Sequence, residues 1–96
     1  MKRLRLSRKA EADLREIWTY SAGRWGRTQA NDYLGTIRAA ITGLRDGSTP
    51  SRPAGEVRPS CRKVSVGSHV VFFRDTAQAI EVLRVLHHRM DAGRRV

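Results

Sequence analysis

The stretch Ala79–Asp91, AIEVLRVLHHRMD, runs from a continuous apolar segment into a polar, cationic end, and the rest of the chain is interpreted around it. A strand that is apolar on both faces is covered from both sides by the rest of the protein. We therefore predict a central strand near residues 79–87 and a core that is complete at Leu86. The apolar positions that carry this pattern are Ile80, Val82, Leu83, Val85 and Leu86.

The polar end of this strand is the first candidate functional site. Imidazole and guanidinium groups beside apolar surface are costly unless they meet solvent, protein or phosphate. One cation interrupts the strand and a short polar run follows it, so this end is predicted to contact a target. The predicted target-binding residues are Arg84, His87, His88, Arg89 and Met90.

Length and charge limit the kind of protein. The chain has 96 residues, of which 40% are hydrophobic, which predicts one domain over residues 1–96 with one modest core. Lysine and arginine number 19 against 9 acids, giving a formal charge of +10. Such a surface favours acidic proteins, nucleic acid or anionic membranes as partners, and charge alone does not choose among them.

Redox and targeting signals are few. Cys61 is the single cysteine, which excludes an internal disulfide and a thiolate metal cluster and is typical of a reducing compartment. No apolar run approaches the roughly 20 residues needed to cross a bilayer. We expect a cytoplasmic protein with no membrane partner.

Catalytic and cofactor motifs are weak. Three histidines lie at positions 69, 87 and 88, and adjacent residues of a strand point to opposite faces, so we expect no metal site. Phosphate-binding glycine motifs are absent, and no cofactor is expected. We assign no catalytic residue, although His87 or His88 acting as a general base beside Arg84 or Arg89 stays open for phosphodiester cleavage.

The expected secondary structure is a strand, two helices, a loop and three strands. Ser7 is a suitable N-cap, and apolar stripes predict helices over 8–23 and 28–46 that form a hairpin. Trp25 is placed on the first stripe. Glycine, serine and proline over 47–60 predict a surface loop. The stripes predict a core that includes Leu14, Ile17, Trp18, Leu34, Ile37 and Ile41.

The later strands complete the predicted fold. Residues 61–66 and 69–75 are separated by Gly67 and Ser68, which favour a tight hairpin turn. The fold is therefore α+β, with order β-α-α-β-β-β and the helical hairpin on one face of a four-stranded, mainly antiparallel sheet. Because the helices need only one face, the other is predicted to bind a partner. The candidates are Arg62, Val64, Val66, Val70, Phe72 and Arg74.

Three segments carry a family resemblance: LSRKAEADLREIWTYSAGRWGRTQANDYL at 6–34, GSHVVFF at 67–73 and IEVLRVLHHRMD at 80–91. They resemble the ParE toxins of the RelE/ParE superfamily, over nearly the whole chain. The resemblance implies a toxin that inhibits DNA gyrase and growth, and that a ParD-like antitoxin neutralises. A surface of charge +10 would attract an acidic antitoxin segment that folds on binding. We expect no sequence-specific DNA binding by this chain alone.

The alternative is the RelE branch, whose members cleave messenger RNA on the ribosome. RelE-like nucleases resemble this chain in the third strand, but they place an arginine directly after its opening residue and end on a tyrosine. This chain has Val70 after His69, and its last tyrosine is Tyr33, within a predicted helix. Both departures favour the ParE interpretation. A plain basic nucleic-acid-binding domain is a third class, which no recognised binding motif supports.

Overall fold

The computed structural model describes residues 2–96 and confirms the α+β fold. A pair of long helices packs on one face of a five-stranded sheet. The elements are β1 (Arg3–Leu6), α1 (Arg8–Trp25), α2 (Arg27–Gly43), β2 (Arg52–Pro53), β3 (Cys61–Val66), β4 (His69–Asp75), β5 (Ala79–His87) and α3 (Ala92–Arg95).

The start of α1 is fixed to the sheet through its cap. The Ser7 hydroxyl oxygen accepts a hydrogen bond from the Ala10 amide at 3.0 Å, as an N-cap does. The same hydroxyl donates to the Leu83 carbonyl of β5 at 2.7 Å. One side chain therefore satisfies the first turn of the helix and also sets where that turn lies on the central strand.

The two long helices meet at a single glycine. Gly26 has a φ of +95°, and it ends α1 and begins α2 without an intervening loop. The connection between the helices is therefore one residue long, which is shorter than the predicted helices over 8–23 and 28–46 imply. At the other end α2 stops at Gly43, three residues early, because the Gly43 carbonyl accepts from the Thr49 amide at 3.1 Å and the Ser48 hydroxyl at 3.2 Å.

The strand order is β1-β5-β4-β3-β2, with β1 parallel to β5 and the other pairs antiparallel. β5 is an inner strand between β1 and β4, which confirms the predicted strand near residues 79–87. The sheet has one strand more than predicted, since Arg52 and Pro53 of the expected loop pair with β3. The register between β4 and β5 shifts at Phe72 and Phe73.

The larger apolar cluster lies between the helices and the sheet. It confirms the predicted helical stripes, with Trp18 packed at the margin of the cluster instead of inside it. The placement of Trp25 on the buried stripe is wrong: it is the last residue of α1, its side chain is 52% exposed, and the indole packs against Tyr20. The buried predicted residues are Leu14, Ile17, Leu34, Ile37 and Ile41.

A second, smaller cluster covers the opposite face of the sheet. Phe72 and Leu86 are buried there by Ala54 from the segment between the helices and β3. Ala92 and Val96 of the C-terminal end pack against the same cluster. The prediction that the core is complete at Leu86 is therefore wrong for this face, because the tail supplies part of its cover. Among residues 2–96, no helix combines the length and apolar character needed to span a membrane.

Candidate functional site

A buried ion pair joins α1 to β5. Arg84 donates two hydrogen bonds to the Asp13 carboxylate, from Nε and from Nη2, each at 2.8 Å. Asp13 also accepts from the Val85 amide at 2.9 Å. The side chains of Asp13 and Arg84 are only 9% and 17% exposed. A bidentate pair of this kind fixes orientation as well as charge.

The same guanidinium reaches the end of the chain. Arg84 Nη1 donates to the Arg95 carbonyl at 2.9 Å, so one side chain holds both α1 and α3. Hydrogen bonding to Asp13 raises the pKa of Arg84 above its ordinary value. The sequence predicted that Arg84 contacts a target. The guanidinium instead makes three hydrogen bonds to two residues of the protein, Asp13 and Arg95, and it contacts the tail through Arg95.

A row of rings marks the end of the hairpin. The ring centres of Tyr33 and His69 are 5.6 Å apart, and those of His69 and His87 are 5.4 Å apart. His87 and His88 stack with centres 4.5 Å apart. The row runs from the middle of α2 across the start of β4 to the end of β5.

The expectation that His87 and His88 point to opposite faces is wrong. The strand ends at His87, and His88 lies in the following turn, so the alternation of side chains no longer applies. Among residues 2–96, no three His, Cys, Asp or Glu side chains are placed to hold a metal ion.

Tyr33 fastens the turn between β3 and β4. Its hydroxyl oxygen accepts from the Ser68 amide at 3.1 Å, and the hydroxyl lies 2.6 Å from His69 Nδ1. The hydroxyl also donates to the Val66 carbonyl at 3.4 Å, and which of the hydroxyl and Nδ1 donates in the 2.6 Å contact depends on the His69 tautomer. Gly67 has a φ of +56°, and a Cβ there would lie 2.7 Å from the Tyr33 ring. The turn therefore requires both residues.

His69 is biased toward its neutral form. Burial lowers the pKa of His69 below its ordinary value of 6.5, and the neighbouring His87 and His88 lower it further. A neutral imidazole has one donor and one acceptor nitrogen, so the contact with the Tyr33 hydroxyl is compatible with the neutral ring that the lowered pKa favours.

The remaining predicted target residues lie on an exposed turn. His88, Arg89 and Met90 are exposed, and His87 is half-buried. The Arg89 amide donates to His87 Nδ1 at 3.2 Å, and the Met90 amide donates to the His87 carbonyl at 2.9 Å. This compact turn presents its side chains to solvent beside the row of rings.

The six predicted antitoxin-binding residues divide between the two faces of the sheet. Val64 and Val66 pack under the helices, so they do not belong to the open face, whereas Val70 and Phe72 lie in the second cluster. The two arginines of the set also have partners. Arg62 donates to the Ser51 hydroxyl at 2.9 Å, and Arg74 Nη1 lies 3.9 Å from the Glu81 carboxylate.

Sequence reasoning missed Tyr33, His69 and Asp13 as members of this region. Tyr33 and His69 are 36 residues apart, and Asp13 and Arg84 are 71 apart. No local pattern reports such pairings. The one available signal was the tight Gly67–Ser68 turn, which leaves room for a ring from the neighbouring helix.

Solved structures of other proteins share this fold. A structure titled as the chromosomal ParDE system from P. aeruginosa is similar with a TM-score of 0.79 and 24% identity, covering 91% of this chain and 96% of that chain. The E. coli DinJ-YafQ complex is similar with a TM-score of 0.64 and 13% identity, covering 92% and 94%. These likenesses show the fold.

Sequence similarity then identifies the family. The model for the ParE toxin of type II toxin-antitoxin systems matches residues 4–92, and the chain belongs to that family. The Toxin ParE1 of Caulobacter vibrioides is 45% identical over 96% of this chain and 95% of its own length. The Toxin ParE1 of Mycobacterium tuberculosis is 44% identical over 93% and 92%. The Toxin ParE of Escherichia coli is 34% identical over 90% and 84%.

Proposed function

We propose that this toxin inhibits DNA gyrase in the cytoplasm by binding it, without catalysis, through the turn that follows β5. Membership of the ParE family over residues 4–92 is the observation that carries the proposal. The geometry supports the choice of surface, because His88, Arg89 and Met90 are exposed while Arg84 anchors the same tail from inside. Arginine in a protein or nucleic-acid interface pairs with carboxylate or phosphate.

The antitoxin we propose is a ParD-like protein with an acidic segment that folds as it binds. A groove of about 550 Å³ between α1 and α2 supports this partner. Trp18 and Leu34 line the groove, and the exposed Arg15 and Arg38 stand beside them. An apolar groove with cations at its rim suits an amphipathic acidic helix. The sheet residues predicted from sequence stay a prediction, although the protein's own chain already covers most of them.

One observation favours a second candidate, cleavage of messenger RNA on the ribosome. Tyr33 lies beside His69, and His69 contacts His87, so a tyrosine and histidines meet despite their distance in sequence. Imidazole groups near neutrality are suited to general acid–base catalysis of phosphodiester cleavage. The absence of an arginine directly after His69 still favours gyrase inhibition.

Two assays on the same purified protein separate these functions. Supercoiling of relaxed plasmid by purified gyrase is measured with increasing toxin, and translation in a cell-free extract is measured over the same concentrations. Gyrase inhibition predicts loss of supercoiling at concentrations that leave translation and the reporter messenger RNA intact. Cleaved messenger RNA with normal supercoiling would instead establish the second candidate and exclude the first.

A further inference from the structure

The exposed large hydrophobic side chains of residues 2–96 are concentrated in one place. They are Tyr20, Trp25 and Met90, with exposed fractions of 63%, 52% and 45%. Tyr20 and Trp25 line one groove, and Tyr20 and Met90 line an adjoining one. His69 and His87 line both grooves, so the two form a continuous surface. Exposed apolar groups that gather in this way indicate a binding site.

The first of these, here named the ring groove, has a volume of about 390 Å³. Its lining includes Tyr20, Arg24, Trp25, Gln29, His69 and His87. The volume falls within the roughly 300–1,000 Å³ of small-molecule sites. Its walls are mostly flat rings and hydrogen-bonding groups, a composition that suits a planar, polar ligand better than an aliphatic one.

Charge in the ring groove has one sign. None of the described residues that line it is aspartate or glutamate, and Arg24 places its guanidinium carbon 5.5 Å from the centre of the Trp25 ring. The guanidinium therefore lies over one face of Trp25, and the exposed Tyr20 ring contacts Trp25 in the same groove. The whole chain carries a charge of +10, which draws polyanions toward this surface.

We propose that the ring groove binds single-stranded nucleic acid without sequence preference. A base stacks on Trp25 or Tyr20, Arg24 pairs with the adjoining phosphate, and Gln29 and His69 supply hydrogen-bonding groups at the groove wall. Stacking on aromatic rings combined with cations along the backbone is the general chemistry of single-strand recognition. The ring groove adjoins the exposed turn proposed for gyrase through His87, but the proposal does not depend on gyrase inhibition.

Fluorescence anisotropy of a labelled oligothymidylate about 15 nucleotides long tests the proposal. This DNA has no 2′-hydroxyl, so binding is measured without strand cleavage of the ribonuclease type. We expect saturable binding that weakens between about 50 and 200 mM salt. Competition by free thymidine monophosphate distinguishes a free nucleotide from a nucleic-acid strand as the ligand. Stronger competition per nucleotide by longer strands supports a strand as the ligand. Equal potency per nucleotide would assign the groove to a free nucleotide instead.

Matched variants distinguish stacking on the ring from nonspecific binding. Trp25→Leu keeps an apolar side chain but removes the ring, and we expect it to weaken binding by about tenfold, whereas Trp25→Phe retains binding. Arg24→Gln should lower the slope of log affinity against log salt by about one phosphate contact. Arg3→Gln removes the same charge near the other end of β5, where Arg3 pairs with Ala79, and it should weaken binding only slightly and without that loss of slope.

Three results would overturn the proposal: no saturable binding, equal affinity for Trp25→Leu and the unchanged protein, or identical behaviour of Arg24→Gln and Arg3→Gln. Because Trp25 and Arg24 are exposed, both variants should keep the thermal unfolding midpoint of the unchanged protein. If the midpoint of a variant is lowered, its binding is measured at a temperature at which that variant is folded, so that folded proteins are compared.

Discussion

Asp13 and Arg84 place opposite charges where little water remains, and each depends on the other. Burial of one charge without its partner costs several kcal/mol, since the desolvation is no longer offset. The pair also holds the Val85 amide and the Arg95 carbonyl, so it connects α1, β5 and α3. Its role is structural, and its effect on function passes through the position of the tail.

Replacing Asp13 by asparagine tests this role. Asp13→Asn keeps the shape but leaves the Arg84 charge uncompensated, and the free energy of unfolding should fall by about 3 kcal/mol. Asp32→Asn is the matched control on an exposed face of α2, and it should change stability by less than about 0.5 kcal/mol. Urea denaturation measures both, and equal small effects would show that the pair contributes little.

His69 makes stability depend on pH. Its folded pKa lies below 6.5, so the unfolded chain binds more protons between those two values. The contribution is therefore fully present above about pH 6.5 and is lost as pH falls through the folded pKa. Urea denaturation from about pH 8 to pH 5 should show a smaller loss of stability in His69→Gln than in the unchanged protein. Parallel curves for the two proteins would contradict this assignment.

The residues that sequence reasoning placed correctly are those whose neighbours share their own element. The stripes of α1 and α2 predicted Leu14, Ile17 and Ile37 because helical spacing is local information. Arg84 was misjudged because its partner lies 71 residues away, and an arginine in a strand looks the same whether it meets solvent or a carboxylate.

At the scale of elements, the β3–β4 hairpin depends on contact between its turn and α2. Gly67 supplies the left-handed backbone, and Tyr33 packs on it while bonding Ser68. The two-residue turn was predictable from sequence, and its docking to the helix was not. The helix junction shows the same limit, since the sequence predicted helices over 8–23 and 28–46, whereas Gly26 alone ends α1 and begins α2.

Two glycine-to-alanine changes should act in opposite directions. Gly67→Ala forces a Cβ into the left-handed region and against Tyr33, and we expect a loss of about 1–2 kcal/mol. Gly35→Ala lies within α2, where a Cβ meets nothing within 4 Å, and should raise stability by about 1 kcal/mol. Thermal unfolding compares them, and a shift of the same sign in both would refute the argument.

For the whole molecule, the sheet carries a separate cluster on each face. The helical hairpin covers one face, as predicted, and the segment around Ala54 with the tail residues Ala92 and Val96 covers the other. Sequence reasoning assigned that second face to a partner because proline-rich loops and short polar tails give no periodic signal of burial. Phe72 is consequently buried by the protein itself.

Deletion of residues 92–96 tests whether the tail belongs to the fold. It uncovers the second cluster and removes the Arg95 carbonyl from Arg84, so the free energy of unfolding should fall by about 1–2 kcal/mol. Arg94→Ala, at a side chain that is 87% exposed in the same segment, should have almost no effect. Unchanged stability after the deletion would show that the tail is not part of the core.

The central claim is that the exposed turn after β5 acts on gyrase, and supercoiling inhibition by charge-reversed variants tests it most directly. Arg89→Glu reverses an exposed charge within the turn, and Arg3→Glu makes the same change near the opposite end of β5, where Arg3 pairs with Ala79. We expect the unchanged protein and Arg3→Glu to inhibit supercoiling equally, and Arg89→Glu to require about tenfold more protein. Full inhibition by Arg89→Glu, or no inhibition by the unchanged protein, would contradict the account.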